Sequence, residues 1–458
     1  MKIKNSLQPK LTGGALVLAI ATSVYGQTAA PADASKTATT PATDSSTAAV
    51  AAPKANSFVR LDGNDLIVGS LPPVTFHGFA SQGFLDTTSY NYLAANTKGG
   101  SFQFNEFGLN ASTSPFARTR ISAQAFMFDV GNVGNYDIGL DYAVIDYNFA
   151  DEIGIRAGRI RRPEGIYNSI QDIDLARTSV LLPQGMYDAR WRDFSASVDG
   201  GSVYGNVGLG KVGSVSYEVY GGMINLSQQG GVAREVQNGL LNTGLSLSSV
   251  NDCPLVGGQI WWNTPMDGLR LGVALTEGFN FNIDEAGVLA TGQPFPVNTV
   301  MLTRHSRLNV PTEHYSVEYV KDKWTFQGEA KFQTLIEKDT TSQNFPNFPA
   351  ANSTSATHSD STSVTWYAGA AYEVNHWFQT GAYYTEYYND LSDLGGGGPK
   401  NYQRDLALSF RFDPKPWWII KVEGHYLNGT ALVRDDIHNP SESGNGWFML
   451  ALKTTVSF

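Results

Sequence analysis

The residues of this chain best placed to do chemistry are rows of opposite charge at strand spacing. Over 117–128, period 2 puts Arg118, Arg120, Ser122 and Gln124 on one face and Ile121, Ala123 and Ala125 on the other. Arg156 and Arg159 follow two strands later. The stretch 161–201 then adds Arg161, Arg162, Glu164, Asp172, Asp174, Arg177, Asp188, Arg190, Arg192 and Asp193. Opposing acids come from Asp137, Asp141, Glu318, Glu329 and Glu423. Positive and negative rows facing across a narrow aqueous passage set up a transverse field, which orders water and sorts solutes by charge and dipole. The plainer reading is that the same charges pair structurally across strands. The two are compatible.

Catalysis and metal binding have less to stand on. His425 shares a strand face with Glu423, and His314 with Ser316 and Glu318. On a pore wall, a histidine beside an acid is more often a lining pair than a catalytic one. There is no G-x-S-x-G or H-E-x-x-H, and the glycines from Gly205 to Gly210 lack the helix that a phosphate loop needs. Asp172 with Asp174, or Asp435 with Asp436, are too few ligands for calcium. No enzyme activity, cofactor or metal is therefore expected. A single cysteine, Cys253, excludes an intramolecular disulfide framework and any multi-cysteine metal site. The net charge of −10 excludes a generally basic nucleic-acid binder.

What must position the charges is an all-β scaffold. Of 458 residues only 16% are charged, below the roughly 25% of soluble domains. Aromatics are abundant (24 Phe, 9 Trp, 21 Tyr), as are the 47 glycines, yet the mean hydropathy is a polar −0.21. Apolar and polar residues that alternate, and so average out, are the composition of a membrane β-barrel. The alternation is explicit in 269–276, 324–333 and 403–412. About sixteen such segments run from residue 74 to the C-terminus. Their connections alternate between short turns, as at 321–323, 374–376 and 413–416, and long loops at 86–101, 161–201, 223–254, 278–311, 335–362, 389–401 and 428–446; only 129–135 is brief. A soluble sandwich has no reason to sort its loops by end, whereas an outer-membrane barrel does. Trp324, Trp377 and Trp417 each follow a short turn and mark one membrane rim; Trp447, after a long loop, is expected at the other.

The chain reads in four parts. Residues 1–26 are a signal peptide: Lys2, Lys4 and Lys10 precede a short apolar run, with cleavage near Gly26. Its removal takes three of 32 basic residues and no acid, leaving 29 against 42, a net of −13. The Ala/Thr/Pro-rich 27–57 is expected to be a disordered periplasmic segment, since it has too little apolar surface to offset its ordering entropy. Residues 58–73 bridge to the barrel, 74–458.

The last strand, 447–458, alternates and ends on Phe458. It resembles the assembly signal of bacterial outer-membrane proteins. The stretches Ala157-Gly158-Arg159-Ile160-Arg161-Arg162-Pro163-Glu164-Gly165-Ile166-Tyr167-Asn168, Asp172-Ile173-Asp174 and Leu182-Pro183-Gln184-Gly185-Met186-Tyr187 resemble a branch of the bacterial porin superfamily related to the phosphate-selective and general porins. That resemblance implies a barrel of about 16 strands whose third extracellular loop, 161–201, folds into the lumen and narrows it. The apolar patch Val180-Leu181-Leu182-Pro183 agrees, because a loop that apolar needs cover and the barrel interior offers it. The ladders of arginine and lysine that a phosphate-selective channel would carry are not evident.

The expected function is passive diffusion of small hydrophilic solutes or ions through a charge-lined pore. Its constriction would comprise Arg118, Arg120, Arg156, Arg159, Arg161, Arg162, Glu164, Asp172, Asp174, Arg177, Arg190 and Arg192. A substrate- or anion-selective porin is the alternative within the class; a surface adhesin or structural barrel is the alternative outside it. The expected location is the outer membrane, with its lipid and lipopolysaccharide as partners, small solutes as cargo, a homotrimer as candidate assembly, and no nucleic acid.

Overall fold

In this computed structural model, residues 59–131, 133–241, 243–289, 300–346, 349–394, 397–433, 439 and 446–458 are described. The expected signal peptide and the 27–57 segment lie outside them, as do Asp435 and Asp436.

Alternation generates a closed barrel. Its sixteen antiparallel strands are β1 (Val74–Thr87), β2 (Phe104–Phe116), β3 (Thr119–Val130), β4 (Ile138–Ala150), β5 (Ile153–Arg161), β6 (Ser197–Gly208), β7 (Ser214–Ile224), β8 (Cys253–Asn263), β9 (Leu269–Leu289), β10 (Val300–Lys321), β11 (Trp324–Asn344), β12 (Ser353–Asn375), β13 (Phe378–Tyr388), β14 (Tyr402–Lys415), β15 (Trp418–Gly429) and β16 (Trp447–Ser457). Each pairs with its sequence neighbour, and β16 closes on β1 with Thr455 opposite Ser81. Closure removes the unpaired edges that a bilayer could not hydrate. Residues Val59–Asp62 and Asp65–Val68 form a small hairpin ahead of β1, where the sequence suggested only a bridging segment.

Faces sort as the period dictates. Outward positions form an apolar belt that includes Leu109, Ile145, Val219, Ile260, Leu408 and Leu450, all exposed. Trp324, Trp377 and Trp417 are exposed at the short-turn end. Trp447, expected at the opposite rim, is fully buried: it points inward, its ring edge-on to Tyr90 and Tyr92 at 5.5 and 5.4 Å. Inward parity, which it shares with Met449 and Ala451, decided its side, and the folded-in 88–103 connection covers it.

Strands β9 to β12 contain 21 to 23 residues, about twice what a bilayer needs. Most of 278–311 and 335–362, read from the sequence as loop, therefore continues as a sheet beyond the membrane. The connection after β7 carries helix α1 (Gly231–Gly239) and a short strand, Leu245–Val250, that pairs with the upper part of β9.

Candidate functional site: a loop suspended in the lumen

The connection between β5 and β6 runs through the barrel. Val180, Leu181 and Leu182 are buried there against other apolar side chains. The loop contributes only short 3-10 turns and a four-residue helical turn, so wall side chains must fix its course.

The wall of β14, β15 and β16 grips it by charge. Asp174 lies between two inward lysines: Lys453 Nζ is 2.9 Å from Oδ2 and Lys421 Nζ is 3.3 Å from Oδ1. Thr455 Oγ1 donates to Asp174 (2.6 Å), and Arg177 lies 3.2 Å away. Lys421 also donates to the carbonyl of Ser179 (3.0 Å), and Arg411 to that of Leu175 (2.8 Å). Next to this, Glu423 accepts the N–H groups of Val180 and Leu181, both at 2.9 Å. His425 bridges Glu423 and Asp405 at 3.0 Å each. Burial alone would raise the Asp174 carboxyl, but Lys421 and Lys453 outweigh it and hold the group well below the usual carboxylate range.

The wall of β10 and β11 takes hold through an acceptor, Glu329, and a donor, Lys331. Glu329 receives the N–H of Ile166 (2.7 Å), the hydroxyls of Tyr187 (2.5 Å) and Ser316 (2.8 Å), and lies 3.0 Å from His314. Lys331 donates to the carbonyl of Met186 (2.6 Å). Gly165, at φ +65°, threads between these groups; a Cβ there would stand 2.4 Å from the His314 ring and 2.6 Å from the Glu329 carboxylate.

A third set holds the loop to β3 and β4. Arg161 donates to Asp172 (2.7 Å) and meets Asp141; Arg192 reaches Asp141 (2.5 Å) and stacks over Phe126 at 4.0 Å. Gln124 donates to Asp141 (2.9 Å) and Asp172 (2.7 Å). Burial pushes the Asp172 carboxyl up, and Arg161 with Arg192 more than reverses this, leaving it below its ordinary value.

The loop thus separates two cavities. That toward the short turns, of about 800 Å³, is lined by Arg120, Arg156, Arg161, Asp146 and Glu218 with Tyr142 and Tyr204. Arg156 donates to Asp146 (2.9 Å) and Glu218 (2.7 Å), with its guanidinium 3.9 Å above the Tyr204 ring. The cavity toward the long loops, of about 570 Å³, lies between the loop, α1 and the inner face of β9 to β12.

Comparison with solved structures agrees with this architecture. OmpF of Salmonella typhi, solved with daunomycin, aligns at a TM-score of 0.52 and 12% identity over 86% of this chain and 99% of that one. The outer-membrane channel DcaP of Acinetobacter baumannii aligns at 0.50 and 10% identity over 85% and 98%. The fold is that of a bacterial porin. No family model matches the sequence, and no curated protein does.

Within this porin fold, the sequence-predicted residues separate into groups. Arg120, Arg156 and Arg161 reach the cavity on the short-turn side. Arg162, Glu164, Asp172, Asp174, Arg177 and Arg190 are buried pairs of the suspended loop; Arg162 is 2.5 Å from Glu164, and Arg190 is 3.0 Å from Asp188. Arg192 and Asp141 belong with them. Three expectations are corrected. Arg118 has the right parity but precedes the strand: it sits exposed in the two-residue turn at φ +64° and donates to the Phe149 carbonyl. Asp137 is exposed in the connection before β4, outside the lumen. Arg159 alternates with the inward Arg156 and Ile160, so it lies on the outer face, paired with Asp199 at 2.9 Å. Among the opposing acids, Glu329 and Glu423 hold loop N–H groups, and Glu318 pairs with Arg270.

Sequence reasoning missed Lys421, Lys453 and Arg411. The signal was available: each is a cation at inward parity, in strands whose other face must meet lipid. Among the described residues no group of three or more His, Cys, Asp or Glu is arranged to hold a metal ion.

Proposed function

We propose that this chain is an outer-membrane porin that lets small hydrophilic solutes or ions diffuse passively between two charge-lined vestibules. The observation that carries the reading is the in-folded loop, fixed to three parts of the wall, with a water-accessible cavity on each side. Transport of this kind needs no covalent step and no cofactor, so the chain is read as a non-enzyme. Long loops face the exterior and short turns the periplasm. Lipid and lipopolysaccharide surround the apolar belt, and a homotrimer is the proposed assembly. The filter is assigned to Arg120, Arg156 and Arg161 with Asp146 and Glu218, since these charged side chains line the larger cavity beside Asp172 and Asp174 of the loop.

The test is planar-bilayer conductance of the heat-modifiable barrel with reversal potentials in KCl gradients. Stepwise ohmic insertions with a salt-dependent ion preference support the reading. A folded barrel that never conducts would move the assignment to a surface adhesin or structural barrel.

A further inference from the structure

A general diffusion pore needs polar inner walls, yet the vestibule toward the long loops has an apolar one. Phe281, Ile283, Leu308, Val310 and Leu335 occupy inward positions of β9, β10 and β11 and line its cavity. Phe281, Ile283, Leu308 and Val310 are buried, packed with Val232, Ala233 and Val236 of α1 and Phe194 of the loop, so the open part of the wall is Leu335, which keeps 37% of its surface exposed while facing the lumen. The rings of Trp191 and Tyr387, both half-buried, line the same space. Above the apolar wall the charges are unbalanced. Glu285, Glu337 and Asp339 surround the one guanidinium of Arg304, which already pairs with Glu285 at 2.6 Å. Lys331, the nearest inward ammonium on β11, is turned to the Met186 carbonyl.

An aliphatic side chain, two aromatic faces, and five carboxylates (Glu164, Asp188, Glu235, Glu285 and Glu337) to three cations (Arg162, Arg304 and Lys331), around a cavity of about 570 Å³, match one kind of solute. We infer that this vestibule binds organic cations with an apolar body, such as aryl-alkyl ammonium ions, before they pass the loop. The ammonium would sit at Glu337 and the hydrocarbon against Leu335, Trp191 and Tyr387. An anion of the same shape meets the same wall but the wrong charge, and a small ammonium finds the charge without the wall. The inference rests on the diffusion reading for its role in transport, but binding can be measured without transport.

The experiment titrates phenethylammonium, 3-phenylpropionate and methylammonium into the full chain folded in detergent, by calorimetry. Phenethylammonium should bind about tenfold or more tighter than either control, the order expected for one screened charge pair plus one buried ring. Glu337→Gln and Leu335→Ser, neither of which touches the loop's anchors, should each weaken it about fivefold, with folding checked by heat-modifiable mobility. Equal binding of the anion, equal binding of methylammonium, or variants indistinguishable from wild type would overturn the site. If a variant does not fold, the three-probe comparison on wild type still decides. KCl conductance of the same preparation judges the diffusion reading separately: conduction without binding removes only this site, and binding without conduction removes only the transport role.

Discussion

Two walls hold the same loop, each with a carboxylate that accepts loop N–H groups, Glu423 on one and Glu329 on the other. Only one adds a loop carboxylate set between wall cations. On β14 to β16 the loop brings the carboxylate, Asp174, and the wall brings ammonium groups, Lys421 and Lys453. On β10 and β11 the wall brings the carboxylate, Glu329, and the loop brings a backbone N–H and a tyrosine hydroxyl. In the first case one loop side chain pairs with two buried cations, one of which, Lys453, also pairs with Glu106, so the contact is concentrated. In the second the charge sits on the scaffold and the loop supplies groups that any sequence of similar course would offer. The lesson is that the same degree of burial conceals different sensitivities to substitution.

The largest effect should follow Asp174→Asn. It takes the carboxylate from Lys421 and one of two from Lys453, which keeps Glu106 at 2.5 Å, a loss of about 3–5 kcal/mol when a buried pair is broken from one side. Thermal unfolding of the detergent-folded barrel should show a marked fall in midpoint, and single-channel traces should become noisy. Glu329→Gln should cost less, about 1–3 kcal/mol, because the amide still accepts one hydrogen bond. If the two variants melt alike, the contrast between the walls is wrong.

A third, smaller effect concerns pH. The Asp193 carboxyl, in the loop beneath the first turn of α1, is pushed up to about 6 by burial, against backbone N–H groups that lower it. A raised carboxyl contributes stability when protonated, present below about 4 and lost as pH rises through 6. Asp193→Asn should therefore raise the melting midpoint at pH 8 and leave it near wild type at pH 4. A midpoint lowered at pH 8 would show that the carboxylate is needed as an ion. Asp174 behaves oppositely. Its depressed carboxyl contributes above about 4 and is lost only as pH falls further, so the lysine-held wall should keep its grip through pH 5. Smaller still, Arg120→Ala should shift permeability toward cations at low salt and less at 1 M, where the screening length is about 3 Å. Unchanged reversal potentials would take Arg120 out of the filter.

Much of this was legible in the sequence because period 2 is a strict rule in a barrel: lipid on one side and the lumen on the other leave each side chain one choice. The strand series, the sorted connections and the inward placement of Arg120, Arg156, Glu318, Glu329 and Glu423 follow from it. Parity sent Arg159 outward, opposite to Arg156, and its assignment to the lumen overlooked that; the other misplacements arise because parity says nothing about where a strand begins or what covers it. Arg118 fell just before a strand and Trp447 beneath a folded-in connection. Glu329 and Glu423 point where alternation sent them, but what they hold is set by the path of a loop more than 150 residues away along the chain. No local pattern encodes that pairing. The apolar wall of the long-loop vestibule escaped for a related reason: once strands extend past the bilayer, inward and outward faces no longer differ in solvent in the same way.

We propose that the loop fixed by Asp174, Glu423 and Glu329 sets the constriction between the two vestibules. The most direct measurement is the unitary KCl conductance of the wild-type barrel beside a variant in which residues 175–186 are replaced by a short glycine-serine link. Removing the segment that carries Val180, Leu181 and Leu182 through the lumen should raise the conductance severalfold and weaken ion selectivity. A folded variant with wild-type conductance and selectivity would contradict the account, because the narrowest point would then lie elsewhere in the barrel.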